Sequence, residues 1–263
     1  MGWRLDALAV LTACEAAEKC RHALAALDAR DDPEAERGLA PPPRPGRPAE
    51  PVLVLPRDAP KRGLGSAGGR VALLHALAHI ELNAIDLAFD MALRFVGDAW
   101  SAGLDPASFA ADWISIGREE AQHFLMLEAR LRALGSHYGA LPAHDGLWEA
   151  AEATADSLLA RLAIAPMVLE ARGLDVTPGM AERLEEAGDR ESARVLETIY
   201  ADEIGHVAKG VAWFEALCRT RGADPKETFA ELVDARFRGR LKPPFNDAGR
   251  MAAGLGRGYY AMA

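Results

Sequence analysis

Apolar positions along the chain recur at a helical period over long stretches, and short polar, Gly- or Pro-containing breaks separate them. After Gly68-Gly69 one such stretch runs from about Arg70 to Val96, with a stripe of Leu74, Leu77, Ala78, Glu81, Ile85 and Ala88. A second opens at Asp105-Pro106, a capping residue followed by proline at the first helical position, and ends near Gly135. A third is predicted from near Asp145 to Arg172, stopped by Gly173. A fourth runs from near Asp189 to about Arg221, stopped by Gly222. Four stretches of this length with apolar stripes predict an all-α four-helix bundle over 69–222. A shorter helix follows, about Asp224 to Phe237, within a C-terminal helix and tail (223–263) packed on the bundle. A short helical piece, about Trp3 to Ala29 within residues 1–39, precedes it.

Between these parts, eight of the 16 prolines lie from Pro41 to Pro60. Neither helix nor central strand survives that density, so 40–68 reads as an extended connector. It is either a plain linker or a strap that packs through Val52, Leu53, Val54 and Leu55. Pro166 falls inside the third stretch, where it removes a backbone bond and is expected to kink the helix.

The polar residues that break the stripes carry the chemistry. The second stretch contains Glu120-Ala-Gln-His123 and the fourth contains Glu203-Ile-Gly-His206. A three-residue helical step is about 300° of rotation, so each Glu and His share a face. Those faces are otherwise apolar: Trp113, Ile116 and Leu127 in one, Leu196, Ile199 and Trp213 in the other. The first and third stretches each add one carboxylate, Glu81 and Glu170. The order Glu, Glu-x-x-His, Glu, Glu-x-x-His recurs, with steps of 39 and 33 residues from each lone Glu to the next motif. A buried carboxylate beside a buried imidazole is costly unless something compensates both. Four carboxylates and two imidazoles converging in a bundle form the ligand set of a dinuclear site for two divalent ions. Fe is the first choice, with Mn or Zn able to occupy the same donors. The metal ligands are therefore expected to be Glu81, Glu120, His123, Glu170, Glu203 and His206. Glu119 and Asp202 are expected to point outward or to hydrogen-bond a ligating histidine. His79 is placed off the metal face, and Asp90 and Asp112 are read as surface or structural residues.

Composition narrows the function classes. Three cysteines cannot form a disulfide framework, no leader is evident at Met1–Val10, and no stretch approaches a membrane span; a reducing cytoplasm is the expectation. The balance of 30 Lys+Arg against 39 Asp+Glu gives −9, which argues against a nucleic-acid-coating surface. A local basic run, Arg236, Arg238, Arg240 and Lys242 with Arg250 and Arg257 beyond, leaves a phosphate contact open.

Longer strings carry a resemblance. These are His79-Ile-Glu81-Leu-Asn83-Ala-Ile-Asp86, Trp113-Ile-Ser-Ile-Gly-Arg-Glu-Glu-Ala-Gln-His123-Phe, Tyr138-Gly-Ala-Leu-Pro-Ala-His144-Asp-Gly-Leu-Trp148, and Leu241-Lys-Pro-Pro-Phe-Asn246. They resemble the bacterial ferritin-like family labelled as a domain of unknown function, number 455, over nearly the whole chain. The resemblance implies a ferritin-like bundle with a dinuclear metal site. It also implies that Glu120 and Glu203 bridge the ions while Glu81 and Glu170 are terminal ligands. The ligand pattern alone is also similar to that of the tRNA-modifying hydroxylases, which act on a hydrophobic adduct of adenosine. Three functions follow as expectations: an O2-dependent di-iron oxidoreductase with an apolar substrate and an external electron donor; a non-enzymatic ferroxidase, metal buffer or metal-stabilised protein; and a tRNA hydroxylase. The oxidoreductase is expected to use Ile116, Phe124, Met167 and Ile199 as pocket lining and to be a monomer or small homo-oligomer.

Overall fold

The computed structural model describes residues 2–29 and 38–261. Residues 30–37, part of the expected N-terminal piece, and the last two residues of the tail lie outside the described residues. Among the described residues the architecture is all-helical, and its one β-type feature is an isolated parallel bridge between Leu53 and Ala143.

Two long helices, α3 (Ala67–Ser101) and α4 (Pro106–Ala133), pack against each other along their length. A third helical column is assembled from α6 (Leu158–Ile164), a π-helical turn (Ala165–Glu170) and α7 (Ala171–Glu186), after a separate short α5 (Gly146–Glu152). A third long helix, α8 (Arg190–Thr220), packs on this column and on α4. Asp105 caps α4 as expected, accepting from the Ala107 and Ser108 amides, and Asp189 caps α8 by accepting from the Ser192 amide. Buried Leu74, Ile85, Trp113, Leu127, Leu162, Leu174, Leu196 and Phe214 form the shared core.

Two predicted elements are corrected. The third stretch is not one helix from Asp145 to Arg172. Thr154 turns its hydroxyl back to the Ala150 carbonyl, and Ser157 caps a fresh helix by accepting from the Ala160 amide. Buried Arg161 closes the break by donating to the Ala151 carbonyl, Thr154 and Asp90. At the other end, Gly173 does not stop the column. Gly222 adopts a φ of +65° and follows the end of α8, but Gly173 has no such conformation. The buried face Leu174, Thr177, Ala181, Leu184 carries α7 onward past it, and even past Pro178. The expected N-terminal helix is likewise two, α1 (Trp3–Thr12) and α2 (Ala16–Ala25).

α3 also corrects the expectation about membrane spans. It is long and apolar enough to cross one, but 72% of its most apolar stretch is buried inside the fold. Packing accounts for that apolarity.

The connector lies on the body. The Gly46 amide donates to the Leu11 carbonyl, and the Val54 amide and the Val52 carbonyl pair with Ala143. Backbone pairing holds it, because the Val52 and Leu55 side chains are exposed. At the C-terminal end, α9 (Pro225–Arg236) and α10 (Asp247–Ala252) cover the column and α8. Buried Arg250 forms a two-point pair with Asp175.

Candidate metal centre

The π-helical turn positions one of the candidate ligands. Pro166 has no amide hydrogen, and the Ala171 amide reaches back five residues to the Pro166 carbonyl. The extra residue changes the helical phase just before Glu170, which lines the central cavity. α8 accommodates the Pro166 ring at Gly210, where a Cβ would lie 2.4 Å from the Pro166 Cβ. The kink expected at Pro166 is thus a π turn, matched by a glycine on the facing helix.

Glu81 from α3, Glu120 and His123 from α4 and Glu203 from α8 form the tight group. One donor atom from each lies within 4.8 Å of the other three. His206 from α8 joins through Glu120, its Nδ1 3.1 Å from Glu120 Oε1, while His123 Nδ1 lies 3.2 Å from Glu120 Oε2. Glu120 therefore sits between the two imidazoles. Glu170 shares the cavity with Glu81, Glu120 and Glu203 but stands outside the tight group.

Both imidazoles turn Nδ1 inward and Nε2 outward. His123 Nε2 lies 3.0 Å from Asp202, and His206 Nε2 lies 2.7 Å from Glu119. The pairing is crossed: the acid preceding each motif Glu holds the histidine of the opposite helix. Of the two alternatives for Glu119 and Asp202, the hydrogen bond to a histidine is the one observed. These outer carboxylates are half-exposed, while both rings are buried. A carboxylate on the outer nitrogen fixes the tautomer and raises the donor strength of the inner one.

Electrostatics show an acid cluster short of positive charge. Burial, reinforced by the Glu120 charge, pushes Glu81 well above the usual carboxylate range. Burial and the Glu203 charge do the same to Glu170, and burial with Glu120 raises Glu203. Burial opposes the charge on Glu120 as well, but the flanking His206 and His123 hold it low. Burial likewise opposes an imidazolium at His123, yet hydrogen bonds to Glu120 and Glu81 raise it to about 11. No Lys or Arg among the described residues bonds to any of these four glutamates. Glu170 Oε2 and Glu203 Oε2 are buried without a hydrogen-bonding partner, and Glu81 Oε2, Glu120 Oε1 and His206 Nδ1 are buried with only ion-pair neighbours, His206 Nδ1 3.1 Å from Glu120 Oε1 and His123 Nδ1 3.4 Å from Glu81 Oε2. Buried acceptors without a hydrogen bond are rare in folded proteins, and such a group of carboxylate oxygens at one cavity could be satisfied by a cation. The donor set of carboxylate oxygens and imidazole nitrogens fits a divalent metal ion.

Beside the cluster opens a cavity of about 280 Å³. Of the four apolar residues expected to line a pocket, only Ile199 does; Ile116, Phe124 and Met167 are core residues. The sequence reading missed the other side of the cavity, where Leu73, Leu77 and Ala84 of α3 face Leu169, Val176 and Met180. Of these only Leu77 stood in a predicted stripe, and Val176 and Met180 lay beyond the expected end of the third stretch at Arg172.

The remaining candidates are structural. His79 lies off the cluster, with Nδ1 2.9 Å from the Tyr138 hydroxyl and Nε2 3.2 Å from the His144 carbonyl. Asp90 is buried and takes both Arg161 and Arg94, while Asp112 accepts from the Trp213 indole. The basic run is smaller than its sequence suggests. Arg250 is buried, and Arg236 and Arg257 pair with Asp156 and Asp247, which leaves Arg238, Arg240 and Lys242 exposed.

Residues 12–261 match the family described as "Protein of unknown function (DUF455)". An uncharacterized protein of Haemophilus influenzae is 42% identical over 208 residues, covering 79% of this chain and 72% of its own length. No solved structure matches.

Proposed function

Because the chain belongs to DUF455, a family of unknown function, we propose its function from the site itself: a ferritin-like dinuclear metal protein acting as an O2-dependent oxidoreductase on an apolar substrate. The observation that carries the reading is the buried group of Glu81, Glu120, His123 and Glu203, donor atoms within 4.8 Å of one another, beside carboxylate oxygens left without a hydrogen bond. Glu81, Glu120 and His123 would hold one divalent ion, and Glu170, Glu203 and His206 the other. Glu120, flanked by both imidazoles, is suited to span the two. Iron in this setting supplies redox chemistry toward O2. The chain's own part is to bind, orient and keep dry. Glu119 and Asp202 hold the histidines with Nδ1 inward. Because Glu81 and Glu203 are pushed up and the imidazoles are raised, these residues would have to give up protons to hold a metal ion, so metal affinity would rise with pH. The apolar wall of the cavity excludes water and seats the substrate.

The cavity favours an enzyme over a metal store, since storage needs no apolar chamber beside the metals. Burial of Arg250 and pairing of Arg236 and Arg257 reduce the surface that a tRNA substrate would use. The reading is tested by anaerobic Fe(II) loading followed by O2. An oxidoreductase consumes O2 beyond the stoichiometry of iron oxidation once substrate and reductant are present. Uptake that stops at that stoichiometry with every apolar substrate tried sinks the enzymatic reading and leaves a ferroxidase.

A further inference from the structure

The cavity beside the carboxylate cluster has a chemical bias beyond being apolar. The apolar part of its wall is aliphatic but for Met180, and no Phe, Tyr or Trp lines it. Aromatic ligands gain from ring-on-ring geometry that this wall does not offer, whereas a flexible aliphatic chain loses nothing here. Two cations line it, Arg62 and Arg172. Arg172 is already engaged, donating to the Lys242 and Pro244 carbonyls and to Asp175. Arg62 makes no hydrogen bond or ion pair among the described residues, and it is exposed to solvent at the end of the connector. Its guanidinium is a two-point donor matched to a carboxylate. The same cavity is also lined by the buried Glu81 and Glu120 together with Glu170 and Glu203, so a dianion would meet repulsion that a monoanion held at the exposed Arg62 avoids.

We propose that this cavity binds an aliphatic monocarboxylic acid, with its carboxylate on Arg62 and its chain laid along Leu73, Leu77 and Ile80 toward the glutamates. The proposal deepens the oxidoreductase reading by naming its substrate class, but binding itself requires no redox step. The position of Arg62 then sets which part of the chain faces the metal ligands, so the head group acts as a ruler for the site of attack.

The test is isothermal titration of the as-purified full-length protein with decanoate and with decan-1-ol, alongside Arg62→Gln and the cavity-filling Ala84→Leu. Decanoate is expected to bind saturably at one per chain, and decan-1-ol at least tenfold more weakly. Arg62→Gln should weaken decanoate at least tenfold and leave decan-1-ol unchanged, which separates head-group recognition from simple partition into an apolar cavity. Ala84→Leu should reduce binding of both. Equal affinity for acid and alcohol, an unaltered Arg62→Gln, or no saturable binding to folded protein overturns the proposal. Because Arg62 is exposed and remote from the core, its variant remains informative even if Ala84→Leu misfolds. Failure of the metal reading would show separately, as absent metal in a protein that still binds decanoate.

Discussion

The crossed carboxylate pairs show how single residues tune the centre. Glu119 on α4 holds His206 on α8, and Asp202 on α8 holds His123 on α4. Each tie fixes which nitrogen faces the glutamates, and each also ties the two motif helices together. Losing such an outer partner commonly costs 10–100-fold in metal affinity. Glu119→Gln and Asp202→Asn keep size and some hydrogen bonding but lose the charge. Each is expected to weaken Fe(II) or Zn(II) binding by about tenfold, measured by competition with a chelating dye. Affinity equal to wild type in both variants contradicts the positioning role. The six candidate ligands were legible in the sequence because spacing puts Glu and His on one apolar face. The cross-helix ties were legible only as alternatives, since nothing in a sequence says which outward acid meets which ring. Arg62 was not legible at all: it sits in a Gly-rich stretch with no periodicity, and its place at the cavity follows from the path of the connector.

At the scale of elements, the third column decides the site's shape. Pro166 starts a π turn, and the turn sets the phase of Glu170. Gly210 on α8 leaves room for the proline ring. Gly210→Ala inserts a methyl into that contact and is expected to destabilise by about 1–3 kcal/mol, read from chemical denaturation. Pro166→Ala in the same background should recover part of the loss, because the two positions are in contact. Additive losses would show that the two do not pack as described. The chain's period predicted this column but misplaced it, since Gly173 read as a stop and the polar Thr154–Ser157 stretch read as helix. Buried Arg161, which satisfies the broken end, has no periodic signature.

α3 contributes a second element-scale property. His75 Nε2 accepts the Gly139 amide at 3.0 Å and that of Leu141 at 3.4 Å, which requires the neutral ring and anchors the loop between α4 and α5. Burial, aided by nearby His137, lowers His75 to about 4. The unfolded chain takes up the proton at about 6.5, the folded one only near 4. Stability from this group is therefore complete above pH 6.5 and is lost as pH falls toward 4, by an amount of order 3 kcal/mol. His75→Gln keeps an acceptor but cannot titrate. The stability advantage of wild type over this variant is expected to shrink across that window in parallel denaturation curves. An advantage independent of pH would mean that His75 is not held neutral.

For the whole molecule, the parts outside the long helices α3, α4 and α8 and the third column pack onto them. The connector pairs with Ala143, α1 and α2 pack on α3 and α4, and the C-terminal segment locks to Asp175 through Arg250. The formal charge of −9 includes four glutamates at the cavity whose charge bound cations would offset. Under the proposed reading metal would be a structural component as well as a reactive one, since an ion that binds only the folded chain stabilises it. The most direct test of the account is metal stoichiometry, by element-specific mass spectrometry, on anaerobically Fe(II)-loaded wild type and Glu120→Ala. The account predicts two ions per chain in wild type and fewer than one in a still-helical variant. A wild type that retains no metal, or a variant that retains both ions, contradicts it.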